Sequence, residues 1–174
     1  MKEVKKIYKW WWGWNPDKIE HWLESMEANG WHLFHADMGA VRFHFEKHEP
    51  GQVRYCVDYQ DKITPEYRSL FEDAGWELVY TGLGWYIWRM AYDAERPEIY
   101  TDSDSLISRN NRLMGVLGAT VAMQLPLYFV LIGGTYLARP FTAAFGVFFI
   151  VEAVLFVYGL LKILKYNEKM KKSM

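Results

Sequence analysis

Apolar positions along the chain change period in the same order twice. From Asn15-Pro16-Asp17, a cap residue followed by proline at the first helical position, Ile19, Trp22, Leu23 and Met26 recur at i, i+3, i+4 and i+7. That spacing puts them on one face of a helix, and Gly30 ends it. A second helix with the same design is predicted from Thr64-Pro65-Glu66 to Gly75, with Tyr67, Leu70, Phe71 and Ala74 on its apolar face. Ala28-Asn29-Gly30-Trp31-His32-Leu33 parallels Asp73-Ala74-Gly75-Trp76-Glu77-Leu78, and Gly39 parallels Gly84 at the same offset. After each Gly-Trp the pattern predicts a strand, a turn at Gly39 or Gly82-Leu83-Gly84, and a second strand, Val41 to Glu46 or Trp85 to Met90. An aromatic strand precedes each helix, Val4 to Trp12 and Val53 to Tyr59.

The unit is strand-helix-strand-strand, written twice. Neither copy can bury its own apolar face, so the expected fold is α+β: a tandem repeat whose strands pair into one antiparallel sheet with both helices on one face. It should occupy residues 1–100.

Beyond it the pattern changes. Leu113 to Ala138 carries no charge, and Pro140 to Leu161 carries only Glu152, each run exceeding the ~20 apolar residues that span a bilayer core. A two-helix transmembrane hairpin is predicted, with spans at 113–138 and 140–161, a juxtamembrane linker or helix at 101–112 and a basic tail at 162–174. Arg139-Pro140 would form the tip. Positive charges flank the other ends: Arg109, Arg112, and Lys162, Lys165, Lys169, Lys171 and Lys172. By the positive-inside rule both termini are expected in the cytoplasm, which places the chain as a multi-pass protein of the cytoplasmic (inner) membrane. Glu152 falls level with Pro126, within a turn of Gln124 and Tyr128. These four are the candidate intramembrane contacts, either as a clasp holding the hairpin or an oligomer together or as contacts to a partner's helix.

Charge separates the same two regions. Residues 1–108 hold 12 Lys+Arg against 19 Asp+Glu, and residues 109–174 hold 8 against 2. An acidic soluble part argues against nucleic acid as a partner, since affinity for phosphate backbones comes mainly from Lys and Arg. Cys56 is the only cysteine, which excludes an internal disulfide and a thiolate cluster and suits a reducing compartment. His32 and His35 lie three apart on a predicted strand, where alternation sends them to opposite faces, and no metal site is expected. Cys56 shares a strand face with Arg54 and Asp58, and no base is in sight to activate it. With no phosphate loop or nucleophile motif either, neither catalysis nor a cofactor is expected.

Aromatics make up 18% of the chain, and Trp10, Trp11, Trp12 and Trp14 crowd onto the end of the first strand. Alternation prevents consecutive tryptophans from hiding on one face. Most aromatics should fill the core, leaving the others for a ligand cleft, a partner surface or an interfacial belt against lipid. Trp12, Trp31, Trp76, Trp85 and Trp88 are the cleft candidates, with Asp58 or Glu77 facing a cationic ligand.

The order of elements is similar to the tandem modules of gyrase-inhibitor-like and multidrug-regulator effector domains, which implies a cleft for hydrophobic, often cationic, molecules. More specifically, the run from Trp22 through Gly30-Trp31-His32-Leu33, Arg54-Tyr55-Cys56-Val57-Asp58-Tyr59, Leu70-Phe71-Glu72-Asp73-Ala74-Gly75-Trp76 and Gly84-Trp85-Tyr86-Ile87-Trp88-Arg89 to Ile99-Tyr100-Thr101-Asp102 resembles the bacterial DUF2812 family. That resemblance implies C-terminal spans and an association with PadR-type regulators, but no catalytic residues. The expected function is a non-catalytic, membrane-anchored regulatory or sensor module binding a hydrophobic ligand or a protein. The alternative is an accessory subunit of a membrane complex such as a transporter, engaged through the hairpin.

Overall fold

The computed structural model describes residues 3–60, 62–97, 103–133 and 139–172, and the chain divides into two compact units, Met1–Thr101 and Asp102–Met174. The first unit contains β1 (Val4–Tyr8), α1 (Pro16–Ala28), β2 (Trp31–Asp37), β3 (Arg42–Lys47), β4 (Val53–Tyr59), α2 (Pro65–Asp73), β5 (Glu77–Gly82) and β6 (Trp85–Ala91). The second contains α3 (Ser103–Gly133) and α4 (Arg139–Lys172).

The repeat holds down to backbone detail. Each copy forms an antiparallel three-stranded sheet, β1-β3-β2 and β4-β6-β5. Register breaks between Leu33 and His35 in one and between Leu78 and Tyr80 in the other, both 45 residues apart. Gly30 and Gly75 take left-handed backbone after their helices, as do Met38-Gly39 and Leu83-Gly84 in the turns. Two differences separate the copies. Proline starts α1 and α2 49 positions apart while the closing glycines are 45 apart, so α1 is one turn longer, 13 residues against 9. The β2–β3 turn has four residues between the paired Asp37 and Arg42, and the β5–β6 turn has two between Gly82 and Trp85. Thr64 caps α2 by accepting the Tyr67 N–H, whereas the Asn15 side chain makes no such bond and Pro16 alone starts α1.

The expected single sheet is instead two. At the free edge of β2 the backbone of Leu33 is occupied by side chains: its N–H donates to Glu27 Oε1 at 3.1 Å and its carbonyl accepts from Arg89 Nη1 at 2.6 Å. No ladder to a neighbouring strand forms there. Nor do the helices share a face. On α1, Ile19 and Leu23 pack with Leu33, Ala36, Phe43 and Phe45 of the first sheet and with Tyr55, Val57 and Ile87 of the second. On the opposite face of the second sheet, α2 covers Cys56, Trp76, Tyr86 and Trp88 through Phe71 and Tyr67. Leu70, expected on the apolar face of α2, is 68% exposed, and Ala74 is exposed too. A helix of nine residues buries only Phe71 fully.

In the second unit α3 and α4 pack against each other. Asn110, near the start of α3, bonds Asn167, near the end of α4, so the helices run antiparallel. Leu113, Leu117 and Ile163 are buried near this end. Among the described residues one helix, α4, holds a stretch long and apolar enough to cross a membrane, Ala143–Lys172. The predicted basic tail is not a separate segment: α4 continues through it to Lys172. Likewise residues 103–112 are helical and continuous with the rest of α3, and Arg139, read as loop, begins α4. Thr101 and Asp102, the first two residues of the expected linker or helix, lie outside the described residues.

Candidate functional site

The second sheet turns Cys56, Asp58, Tyr86 and Trp88 toward α2, because alternate residues of β4 and of β6 share a face and Cys56 lies opposite Trp88, Asp58 opposite Tyr86. Trp88 stacks on Phe71 at 4.5 Å between ring centroids, and Trp76 meets Phe71 edge-on at 6.4 Å. Into this aromatic layer the strand inserts a carboxylate. Asp58 is 0% exposed; its Oδ2 accepts from the Tyr67 hydroxyl at 2.9 Å and from Gln60 Nε2 at 2.8 Å, and the Tyr67 hydroxyl in turn accepts the Trp88 indole N–H at 3.1 Å. Among the described residues, Asp58 Oδ1 has no hydrogen-bond partner. Burial, with the charge of Asp58 and its hydrogen bond, pushes the Tyr67 hydroxyl far above its ordinary range, so it serves as a fixed donor. An unsatisfied buried acceptor costs about 1–3 kcal/mol, more if charged, and calls for an explanation.

Three of the seven cleft candidates, Asp58, Trp76 and Trp88, therefore meet under α2. The other four do not join them. Trp85 points to the opposite face, edge-on to Trp11 at 4.9 Å and to Tyr59 at 5.0 Å. Trp31 lies under the ammonium groups of Lys47 and Lys5, at 4.7 and 5.1 Å. Trp12 stacks on Trp14 at 4.6 Å and is exposed. Glu77 is exposed and binds Arg89 at 2.8 Å. On its other side Arg89 donates to Nε2 of His32, whose Nδ1 faces Glu27 at 3.2 Å. His32 and Glu77 hold equivalent places in the two copies, and Arg89 bridges them. Sequence reading gave Tyr67 a packing role only; its hydroxyl-bearing ring at a core position was the available signal.

The histidine geometry differs from simple alternation. The irregularity after Leu33 returns His35 to the face of His32, and His35 pairs with His44 across the sheet, rings 5.3 Å apart. Asp37 lies between them, 3.3 Å from His44 Nε2, and is held by two 2.6 Å bonds from Arg42. Arg42 draws the Asp37 carboxyl down to about 2. Among the described residues no group of three or more His, Cys, Asp or Glu is arranged to hold a metal. Cys56 is buried against Trp88 and its aromatic neighbours.

In the helix pair the polar bonds between the two described helices lie away from Glu152. Pro126 lies within α3, and Gln124 and Glu152 are partly covered, but among the described residues no hydrogen bond joins them; the Tyr128 side chain lies outside the described residues. The clasp is at the other end: Asn110 Nδ2 donates to Asn167 Oδ1 at 2.7 Å, Asn167 Nδ2 donates to Asn111 Oδ1 at 3.3 Å, and buried Arg109 donates to Asn110 Oδ1 at 3.2 Å. The signal that marks it in sequence is the Asn110-Asn111 pair at the edge of one apolar run and Asn167 beyond the other.

These features define a class: an α+β domain of two repeated three-stranded units around a buried acid, joined to a pair of long helices. Residues 15–122 match the family described as "Protein of unknown function (DUF2812)", more than half of the chain, and the protein belongs to that family. The match runs from the cap of α1 through the second repeat and into α3, leaving out β1. No curated protein and no solved structure matches it.

Proposed function

We propose that the protein is a non-catalytic, membrane-anchored sensor module, whose N-terminal domain binds a hydrophobic cation beneath α2. The observation carrying this reading is Asp58 Oδ1, a wholly buried acceptor without a partner among the described residues, in a side chain that bonds Tyr67 and stands opposite Tyr86 in the strand pair. A cation there would meet a carboxylate and aromatic faces together, a combination stronger once desolvated. Access would come from α2 lifting; the helix is short and mostly exposed, with Phe71 its main anchor. In this reading α3 and α4 both cross the cytoplasmic membrane, with termini on the cytoplasmic side. Met123, Leu125, Leu127 and Phe129 on α3 and Phe145, Phe148, Ile150 and Val154 on α4 face outward, a surface suited to lipid. Lysines close α4, in keeping with the positive-inside rule. A link to a PadR-type regulator belongs to the same proposal, as the route by which ligand occupancy reaches transcription.

The test is titration of the full chain in detergent with a panel of amphipathic cations, tetraphenylphosphonium first, following tryptophan emission. All nine tryptophans lie in the N-terminal unit. Saturable quenching that Asp58→Asn weakens by roughly tenfold or more supports the reading. A panel that leaves emission unchanged defeats it.

Glu152 favours a second reading. It is an acid in the apolar stretch of α4 with no bond to Gln124, and such a group calls for a partner. As an accessory subunit the protein would lose a stoichiometric membrane partner on Glu152→Leu while its N-terminal domain stays folded; a retained partner rules this out.

A further inference from the structure

We propose that the turn end of the N-terminal domain is a lipid-contacting surface, with Trp10, Trp12, Met38 and Leu83 entering the interfacial layer of an anionic bilayer. The inference rests on the membrane-anchor part of the reading above and is independent of the site under α2.

These residues converge from three separate segments. The chain after β1 is held against the first turn by the Lys9 N–H on the Val41 carbonyl at 2.8 Å and the Trp11 indole N–H on the Ala40 carbonyl at 2.7 Å. Gly13 lies against the Trp85 ring so closely that a Cβ there would fall 2.4 Å from it, which ties the same segment to the start of β6. Leu83 Cδ1 reaches to 3.6 Å of where a Gly39 Cβ would stand, so the two turns are neighbours. Trp11 thereby becomes a half-buried peg, while Trp10 is turned outward against Trp12 at 5.4 Å and Trp12 is stacked on Trp14.

What this end exposes is unlike an ordinary protein surface. Leu83 is 84% exposed, Met38 62% and Trp10 64%. Met38 and Leu83 also occupy left-handed positions, φ 51° and 52°, preceding Gly39 and Gly84. The two-residue turn Leu83-Gly84, with positive φ at both positions, favours Asn or Asp before the glycine, and in either turn a bulky apolar residue at positive φ is a steric liability. Both copies of the repeat carry that liability at the same place, and in both the side chain projects into solvent. The strain is accounted for if the side chain has an apolar phase to enter.

Lipid fits better than protein because of the mixture. Indoles are amphipathic and settle at the headgroup level, and exposed lysines are close to these segments in sequence: Lys9 in the first, Lys18 shortly after it, and Lys62 two residues past Gln60, whose N–H binds the Gly84 carbonyl. Of the acids close by in sequence, Asp37 is paired with Arg42, while Asp17 stands next to Lys18 and Asp61 next to Lys62. A chain anchored by its own helices is held within reach of such a surface.

The experiment reconstitutes the full chain into phosphatidylcholine–phosphatidylglycerol vesicles containing lipids brominated near the top of the acyl chains, with flotation to check anchoring. Tryptophan emission should be quenched, and quenching should be roughly halved in the Trp10→Phe/Trp12→Phe variant and reduced in Leu83→Asp, an exposed position whose change spares the core. A floating chain whose emission brominated lipid does not touch overturns the proposal and leaves the anchor standing. So does an emission shift that follows protein density and not lipid, which would indicate a second copy as the occupant. A chain that fails to float removes the anchor and the proposal together.

Discussion

Glu20 Oε1 accepts the backbone N–H of Val57 at 2.8 Å across a separation of 37 residues, so a helix side chain stands where the next strand of the sheet would be. The neighbouring carboxylate of Glu24 takes the Tyr55 N–H at 3.2 Å, and Arg54 bonds both acids, at 3.0 Å to Glu20 and 2.8 Å to Glu24. One turn on, Glu27 does the same for Leu33 in the other sheet and accepts the Tyr55 hydroxyl at 2.5 Å. The face of α1 thus closes the edges of β4 and β2, which would otherwise present unpaired groups. Burial pushes the Glu20 carboxyl up, against the pull of Arg54 and the Val57 N–H. Glu20→Ala should destabilise the domain by roughly 1–3 kcal/mol, since it strands the buried Val57 N–H and removes one of the two acids, Glu20 and Glu24, that Arg54 bonds. Urea unfolding of the full chain followed by tryptophan emission measures the loss, and amide exchange at Val57 localises it. Unchanged protection at Val57 would contradict the edge-closing role.

Asp37 gives the domain an acid limit. The bidentate hold of Arg42 lowers its carboxyl from an ordinary 3.8 to about 2, so the folded state binds that proton less well than the unfolded state. Its contribution to stability is fully present above about 4 and fades as pH falls toward 2. Asp37→Asn should lower stability at neutral pH and flatten the pH dependence between those values. Urea midpoints measured at a series of pH values in this window decide it, and parallel curves for the two proteins would sink the idea.

Local periodicity carried the elements of the N-terminal domain, because Ile19, Leu23 and Phe71 recur at helical spacing and the Gly30 and Gly75 stops are unambiguous. It did not carry their assembly. Whether β2 pairs a strand of the second copy or is closed by Glu27 and Arg89 depends on contacts 6 and 56 residues apart in the chain. The alternation argument for His32 and His35 failed at an irregularity that no single residue announces. At the candidate site, Asp58 and Trp88 were legible as unusual residues on a strand face, but Tyr67, which joins them, looked like another core aromatic. In the helix pair an isolated acid drew attention to Glu152, and the three asparagines went unnoticed because polar residues at helix ends are common.

The asparagine clasp should matter more to the helix pair than Glu152 does. Asn110 and Asn167 are buried and bonded to each other, so replacing either with leucine leaves its partner unsatisfied. A double-mutant cycle over Asn110→Leu and Asn167→Leu is expected to give a coupling of about 0.5–2 kcal/mol in unfolding titrations of the detergent-solubilised chain. Glu152→Leu should leave that helix-pair stability unchanged or raised. A zero coupling energy would mean that the clasp follows from helix packing and does not stabilise it.

The two turns set stability against surface chemistry. At Met38 and Leu83 the backbone is left-handed, a conformation that asparagine tolerates far better than a larger apolar side chain. Met38→Asn and Leu83→Asn should therefore each stabilise the domain by about 0.5–1 kcal/mol, because nothing buried is lost at positions so exposed. The glycines that follow do not share this freedom equally. At Gly84 a Cβ would fall 2.8 Å from Tyr59 and 3.1 Å from the Gln60 carbonyl, so Gly84→Ala should cost more than Gly39→Ala, whose nearest neighbour is the movable end of Leu83 at 3.6 Å. If the asparagine variants are more stable in detergent yet less quenched by brominated lipid, the apolar turn residues are retained for what they contact and not for the fold. If they are no more stable, the left-handed strain at these positions is already relieved by neighbours, and the turns carry no signal of a membrane-facing role.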